Sequence, residues 1–169
     1  GMLYDYTRFA GLQVLLQSVL SGSLLIVPPL EDQLDNKIKI LIEHDCTHLS
    51  ATPTLWRKIV MTPNADKIKL RQATLGGEIA DDRILSTISS FFPQARVAHI
   101  FASTEAGVGF SVADKRAGFP LYYLKNPSLG VDIKIKNDRL YIRNKHVHYK
   151  YFGSDIAFAT KDGWVDTGD

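Results

Sequence analysis

Two hydroxyls and a carboxylate stand side by side at Ser103, Thr104 and Glu105. Magnesium prefers hard oxygen ligands and usually keeps several waters together with substrate phosphate oxygens. One carboxylate and one hydroxyl beside a triphosphate would meet that preference. The same residues could instead form a capped turn, in which Ser103 or Thr104 only satisfies backbone groups. From these residues alone both interpretations stay open.

A second segment with chemical potential is Gly76-Gly77-Glu78. Backbone without side chains can approach a flat ligand closely and adopt dihedral angles that other residues avoid. The alternative is an ordinary strand-to-helix turn, in which Glu78 and the acids that follow it favour the N-terminus of the next helix. Taken by itself, the segment favours the ordinary turn.

Alternating strands and helices must position these segments. The apolar patterns predict strands at 24–27, 48–51, 71–75 and 96–101, and helices at 3–20, 32–44, from Thr52-Pro53 onward, and 81–92. The first helix should be mostly buried and should end at a left-handed cap on Gly22. This alternation predicts an α/β fold, with a mostly parallel sheet flanked by helices over about 3–110.

The pattern changes after about residue 110. The run 131–136 alternates apolar and charged residues, and 140–143 should pair with it across a turn at Asn137-Asp138. A smaller β-rich region is therefore predicted over about 118–169. As domains, we expect a sheet subdomain at 3–117 and a β-rich, partial-barrel subdomain at 118–169, with residues 1–2 left by a tag and start codon.

Three loops follow the ends of predicted strands and carry small or polar residues, at 52–54, 76–78 and 102–105. Ligands of open parallel sheets bind beyond the carboxyl ends of the strands. A ligand site is therefore expected at this edge of the sheet.

Composition argues against several other classes of function. The chain has 20 Lys and Arg against 18 Asp and Glu, so its formal charge of +2 is too weak to indicate nucleic acid. A single cysteine, Cys46, rules out an internal disulfide framework and fits the cytoplasm. No apolar run reaches the length of a membrane span, and no signal peptide is expected.

Four segments, in their order and spacing, resemble the adenylate-forming superfamily of acyl-CoA synthetases, nonribosomal-peptide adenylation domains and luciferases. The four are Tyr4-Asp5-Tyr6-Thr7, Leu75-Gly76-Gly77-Glu78, the stretch from Ile100 to Gly107, and Gly163-Trp164-Val165-Asp166-Thr167-Gly168-Asp169. The resemblance covers nearly the whole chain, which would form only a middle part of such an enzyme.

The resemblance assigns nucleotide-binding roles to residues 101–105. The Phe101 ring would stack on adenine, with Ala102 and Ser103 in the same cofactor-binding segment. Thr104 would contact phosphate and Glu105 would hold magnesium, which makes these two the candidate catalytic residues and Glu105 the candidate metal ligand. Phe101 replaces the commoner tyrosine, and Ala102 replaces the usual glycine, so its methyl group narrows the approach to the ligand.

Further roles follow from the other segments. Gly76, Gly77 and Glu78 match a gly-gly-glu loop that lies against adenine in the family. Asp169 matches the aspartate of a thr-gly-asp motif, whose carboxylate can accept hydrogen bonds from both ribose hydroxyls. The β-rich region would be truncated at this ribose-binding motif. The segment that starts at Tyr4 would open a helix beside the acyl pocket.

By this resemblance the chain is a fragment of an AMP-forming acyl-acid ligase. The parent would activate a small carboxylic acid with MgATP and transfer the acyl group to coenzyme A or to the phosphopantetheine arm of a carrier protein. The family's phosphate-gripping loop and catalytic lysine lie outside 1–169, so we expect the chain to be inactive alone. The alternatives are a non-catalytic nucleotide- or acyl-binding module and a structural remnant without a ligand.

Overall fold

The computed structural model describes residues 1–126, 130–145 and 150–169. Its helices are α1 (Phe9–Ser21), α2 (Leu34–Glu43), α3 (Pro53–Met61) and α4 (Asp82–Phe91). Its strands are β1 (His48–Ala51), β2 (Gln72–Gly76), β3 (Arg96–Ser103), β4 (Gly107–Val112), β5 (Val131–Lys136), β6 (Arg139–Asn144) and β7 (Trp164–Asp166). Short 3-10 helices occur at Ala65–Lys67 and Leu121–Leu124.

The strands form two sheets. The first has the order β1-β2-β3-β4, and β1 and β2 pair in parallel with Leu49 opposite Ala73 and Ala51 opposite Leu75. The second has the order β5-β6-β7, with both neighbouring pairs antiparallel. The predicted fold class is confirmed: an α/β part with a parallel pair of strands is followed by a smaller antiparallel sheet.

Contacts divide the chain into two compact units. The first unit comprises residues 1–99 and 112–118, and the second comprises residues 100–111 and 119–169. Each unit has buried apolar side chains of its own, which is what a separately packed hydrophobic core requires.

Trp56 lies at the centre of the core of the first unit. Its side chain is fully buried, and its indole N–H donates to the Thr74 carbonyl at 3.0 Å. The Phe92 ring meets it edge to face, with ring centroids 6.1 Å apart. Helix α4 adds buried Ile84 and Ile88, which are one helical turn apart and therefore share a face. This packing fixes α3 and α4 against β2.

Local signals predicted most elements of this unit well. The strands β1, β2 and β3 and the helices α2, α3 and α4 lie where the patterns placed them, with small shifts at their ends. Thr52 caps α3 as predicted, since its hydroxyl oxygen accepts from the Leu55 N–H at 3.2 Å, and Pro53 takes the first helical position. Strand β4, most of which belongs to the second unit, was not predicted.

Helix α1 departs from its prediction in start and in burial. It begins at Phe9, because Asp5 accepts from the Thr7 N–H and holds the preceding residues in a turn. It ends at Gly22, whose φ of 64° confirms the left-handed cap. Only Gly11 is buried, so the prediction of a mostly buried helix is wrong. The helix is apolar on several sides, and the unit covers only one of them.

Within the described residues, no helix combines the length and apolarity that a membrane crossing needs.

The predicted strand at 24–27 is also wrong. Leu24 and Val27 are exposed and only Ile26 is buried, and the segment belongs to neither sheet. The Ile26 carbonyl accepts a single hydrogen bond from the Met2 N–H at 3.0 Å. Met2 itself is buried and bridges Ser50, so it takes part in the fold, whereas the sequence predicts residues 1–2 to be only a tag remnant and start codon.

The second unit contains the predicted hairpin. Strands β5 and β6 pair with Lys136 opposite Arg139, so Asn137 and Asp138 form a two-residue turn. Their φ angles are 52° and 57°. Positive φ at both central residues is the type I′ geometry, which Asn and Asp tolerate better than most residues. Most of the apolar face of this sheet is buried, with Val131, Ile133, Leu140, Ile142 and Val165, whereas Ile135 on the same face is exposed.

Candidate functional site

The turn after β2 holds the predicted Gly76-Gly77-Glu78 segment. Gly77 and Glu78 are exposed, and Gly77 has a φ of 82°. That left-handed conformation favours glycine at this position. The backbone is therefore bare where β2 leaves the sheet, as a surface that receives a flat ligand would require.

Glu78 joins this turn to the neighbouring one. Its Oε2 accepts from the backbone N–H of Thr54 at 2.9 Å, at the start of α3. Hydrogen bonding from Thr54 holds the pKa of Glu78 below its ordinary value, and the positive charge of Arg57 acts in the same direction. Two of the three loops expected at one edge, 52–54 and 76–78, therefore do lie together.

Tyr4 reaches the same turn from the N-terminal segment. Its hydroxyl donates to the Gly76 carbonyl at 3.3 Å. Burial raises the pKa of Tyr4, so the phenol stays protonated and remains a donor. The family resemblance predicts that this segment lies beside the acyl pocket, but it does not indicate a hydrogen bond to residue 76.

The second unit contains the segment at the end of β3. The Ser103 hydroxyl oxygen accepts from the Ala106 N–H at 3.0 Å, which is the capped-turn role considered from the sequence. Thr104 is exposed at the tip of the turn that leads to β4. Of the two hydroxyls, Ser103 is thus engaged by backbone and Thr104 faces solvent.

Glu105 meets a partner that sequence reasoning missed. The Tyr151 hydroxyl donates to its carboxylate from a position 46 residues further along the chain. This bond is the main reason that the pKa of Glu105 lies below its ordinary value, while the same bond raises the pKa of Tyr151. Glu105 is therefore an ionised, partly exposed carboxylate. No local sequence signal links two residues so far apart.

The Phe101 ring lies in an aromatic stack. Its partner is the buried Phe110, with ring centroids 5.3 Å apart and an interplanar angle of 18°. Gly109 makes room for this packing, because a Cβ at Gly109 would lie 2.5 Å from Cδ1 of Ile142 and 3.1 Å from Cδ1 of Phe101. Phe101 and Ala102 are both partly exposed. With one face of the Phe101 ring covered by Phe110, a stacking ligand would have to use the other face.

Asp169 is held through its backbone beside β6. Its carbonyl accepts from the Leu140 N–H at 2.8 Å. The Thr167 N–H and hydroxyl both donate to the Leu140 carbonyl, at 3.1 Å and 2.9 Å. The Asp169 side chain is exposed. The main chain is thus ordered while the carboxylate stays available to a ligand.

The predicted site residues fall into two groups. Gly76, Gly77 and Glu78 belong to the first unit, and the segment 101–105 and Asp169 belong to the second. Within residues 1–126, 130–145 and 150–169, no three His, Cys, Asp or Glu side chains cluster as a metal cage would. A lone carboxylate such as Glu105, next to the Thr104 hydroxyl, instead suits magnesium that is held largely by phosphate and water.

Comparison with protein families gives a match over most of the chain. The model of the AMP-binding enzyme family matches residues 6–148. No curated protein matches the chain. The matched stretch contains every predicted site residue except Asp169.

Comparison with solved structures gives the same fold. The inhibitor-bound N-terminal domain of FACL13 from Mycobacterium tuberculosis superposes with a TM-score of 0.78 at 16% identity, over 99% of this chain and 46% of that one. A variant of E. coli MenE with bound OSB-AMS gives 0.73 at 23% identity, over 98% and 35%. MenE from Bacillus subtilis, in complex with ATP and magnesium, gives 0.73 at 19% identity, over 99% and 38%. The chain therefore spans less than half the length of these proteins.

Proposed function

The chain belongs to the AMP-binding enzyme family, and from that premise we propose that it is the nucleotide-binding part of an AMP-forming ligase. The whole enzyme activates a small carboxylic acid with MgATP and passes the acyl group to a thiol. The observation that carries the proposal is the family match over residues 6–148, combined with the ionised Glu105 next to the exposed Thr104.

The proposed reaction has two steps. A carboxylate oxygen of the substrate attacks the α-phosphorus of ATP, and pyrophosphate leaves with the electrons of the broken P–O bond. A thiolate then attacks the acyl carbon, and AMP leaves. Both steps develop charge on oxygens, so positioned groups that complement this charge accelerate them.

Five features of this chain would bind the nucleotide. In the second unit, the face of Phe101 that Phe110 does not cover would stack on adenine. In the first unit, the bare backbone of Gly76-Gly77 is a separate candidate surface for a flat group such as adenine. The Asp169 carboxylate would accept from the ribose hydroxyls, because an ionised acceptor makes strong hydrogen bonds. Thr104 would donate to phosphate and Glu105 would hold magnesium. When bound, magnesium would neutralise negative charge on the phosphates.

The acyl acceptor is proposed from the names of similar proteins. The Bacillus subtilis protein is named o-succinylbenzoate CoA synthetase, which supports an organic acid as the substrate and coenzyme A as the acceptor. A phosphopantetheine arm on a carrier protein presents the same thiol chemistry.

Buried Cys46 is a free cysteine, in keeping with a reducing compartment such as the cytoplasm.

We further propose that residues 1–169 alone do not turn over substrate, since this stretch spans only 35% to 46% of the similar enzymes. The test is to incubate the purified chain, and separately the protein from the intact reading frame, with MgATP and a panel of carboxylic acids, and to measure pyrophosphate release. We expect release from the intact protein only. Robust pyrophosphate release from the chain alone would contradict the proposal that it is inactive. If the intact protein binds AMP but releases no pyrophosphate, a non-catalytic module would be favoured.

A further inference from the structure

The turn that follows β2 has little hydrogen bonding of its own. In the part of the chain that the structure describes, no backbone–backbone hydrogen bond outside the helices and strands involves residues 77–80. Gly77, Glu78 and Ile79 are all exposed. A short exposed segment that begins with glycine gains much conformational entropy when it is released. Its ordered conformation therefore depends on contacts that other residues make with it.

One such contact holds the start of the turn. The Tyr4 hydroxyl donates to the Gly76 carbonyl at 3.3 Å. The hydroxyl is largely enclosed, which is why the pKa of Tyr4 is raised. A donor removed from water exchanges its partner less readily than an exposed one does. Tyr4 thus fixes the residue immediately before Gly77.

A second contact holds the end of the turn and completes the N-terminus of α3. The first N–H groups of a helix have no partner within the helix and need other acceptors. Pro53 has no N–H, and the Leu55 N–H donates to the Thr52 hydroxyl. The remaining N–H, that of Thr54, donates to Glu78. The Glu78 carboxylate therefore caps the N-terminus of α3. Glu78 itself lies in the loop between β2 and α4, 24 residues further along the chain than Thr54.

We propose that Glu78 is a positioning residue for the nucleotide site, and that together with Tyr4 it clamps the Gly76-Gly77 backbone in its ligand-ready conformation. The carboxylate acts on Thr54 and not on the nucleotide itself. This inference rests on the proposed function, because it takes Gly76-Gly77 as the surface that lies against adenine. It revises the role that the family resemblance assigned to Glu78, from ligand contact to support of the ligand contact.

The test compares Glu78→Ala with Glu78→Gln in the 169-residue chain. Two quantities are measured: hydrogen exchange of the amides of residues 77–79, and the Kd for AMP. Glu78→Ala removes the acceptor, so exchange should quicken by about tenfold or more and AMP should bind about tenfold more weakly. Glu78→Gln keeps an acceptor oxygen for the Thr54 N–H and should restore most of both properties.

Two matched controls separate positioning from general stability. Ile88 is buried on α4 and lies outside the turn, so Ile88→Val should lower Tm without changing either readout. The Tyr123 hydroxyl donates to the Ser111 carbonyl at 3.3 Å, the same length as the Tyr4 bond. Tyr123→Phe is therefore a matched control for Tyr4→Phe. Tyr4→Phe should quicken hydrogen exchange at residue 77 and weaken AMP binding, whereas Tyr123→Phe should do neither.

Each outcome bears on the proposal. Exchange at 77–79 that is no faster in Glu78→Ala than in Ile88→Val would show that there is no clamp. Faster exchange with unchanged AMP affinity would overturn the positioning role. A Glu78→Gln variant as defective as Glu78→Ala would point to a role for the charge instead. If the unsubstituted chain binds no AMP, the proposed function fails for this chain, and the exchange comparison still decides whether the clamp exists.

Discussion

Replacing Glu105 with glutamine in the intact protein, which we propose to be a ligase, should lower kcat for adenylate formation by about two to three orders of magnitude. The amide keeps the size of the side chain and its acceptor oxygen for the Tyr151 hydroxyl, but it removes the negative charge that would hold magnesium. The loss corresponds to several kcal/mol of charge stabilisation, which is the range expected for metal assistance at a phosphoryl group. The measurement is ATP–pyrophosphate exchange as a function of magnesium concentration.

The control for this prediction is Asp132→Asn. Asp132 is a partly exposed carboxylate of the second unit that pairs with Arg143 at 2.6 Å, outside the proposed site. Surface ion pairs of this kind contribute little, so its kcat should stay close to that of the unsubstituted enzyme. A Glu105→Gln enzyme with normal kcat and normal magnesium dependence would remove Glu105 from the reaction.

Replacing Trp56 with alanine should lower the free energy of unfolding of the 169-residue chain by about 3 to 5 kcal/mol. The side chain is fully buried, and its loss leaves a cavity between α3, β2 and Phe92. The Thr74 carbonyl also loses the indole N–H that donates to it. Thr74 lies two residues before Gly76, so the damage reaches the proposed site. Urea unfolding followed by far-UV circular dichroism measures the change.

Two further variants keep this prediction testable if Trp56→Ala does not fold. Trp56→Phe retains an aromatic ring, and should cost less than Trp56→Ala because the cavity is smaller. Leu20→Ala removes a side chain that is 86% exposed on α1, and should change the free energy of unfolding by less than about 0.5 kcal/mol. Equal effects of Leu20→Ala and Trp56→Phe would contradict the core described here.

Local chemistry made much of the fold predictable. A hydroxyl followed by proline at Thr52-Pro53 indicates a helix start whatever surrounds it. Ser21-Gly22 after an apolar run indicates a helix end, and Asn137-Asp138 between alternating runs indicates a hairpin turn. Each of these signals depends on backbone preferences of neighbouring residues. For this reason these signals can be recognised in the sequence before the tertiary structure is known.

Burial and long-range partners were less predictable. Helix α1 is apolar in sequence, yet its leucines Leu12, Leu16 and Leu20 are exposed, because burial depends on which surfaces a helix meets. The segment 24–27 has strand-like composition but no neighbouring strand to pair with. The Glu78–Thr54 and Glu105–Tyr151 hydrogen bonds join residues 24 and 46 positions apart. Nothing local indicates them, and the roles of the site residues themselves stay predictions.

Calorimetric titration of the chain with AMP, before and after Asp169→Asn, is the most direct test of the central claim that this chain holds the nucleoside site. Asp138→Asn is the matched control, since it alters an exposed aspartate of the same unit in a turn that asparagine tolerates. We expect AMP to bind, and Asp169→Asn to weaken binding by about 10- to 100-fold, the range for charge-assisted hydrogen bonds. Asp138→Asn should bind AMP as the unsubstituted chain does. Absence of AMP binding, or equal affinity in the Asp169→Asn variant, would contradict the account.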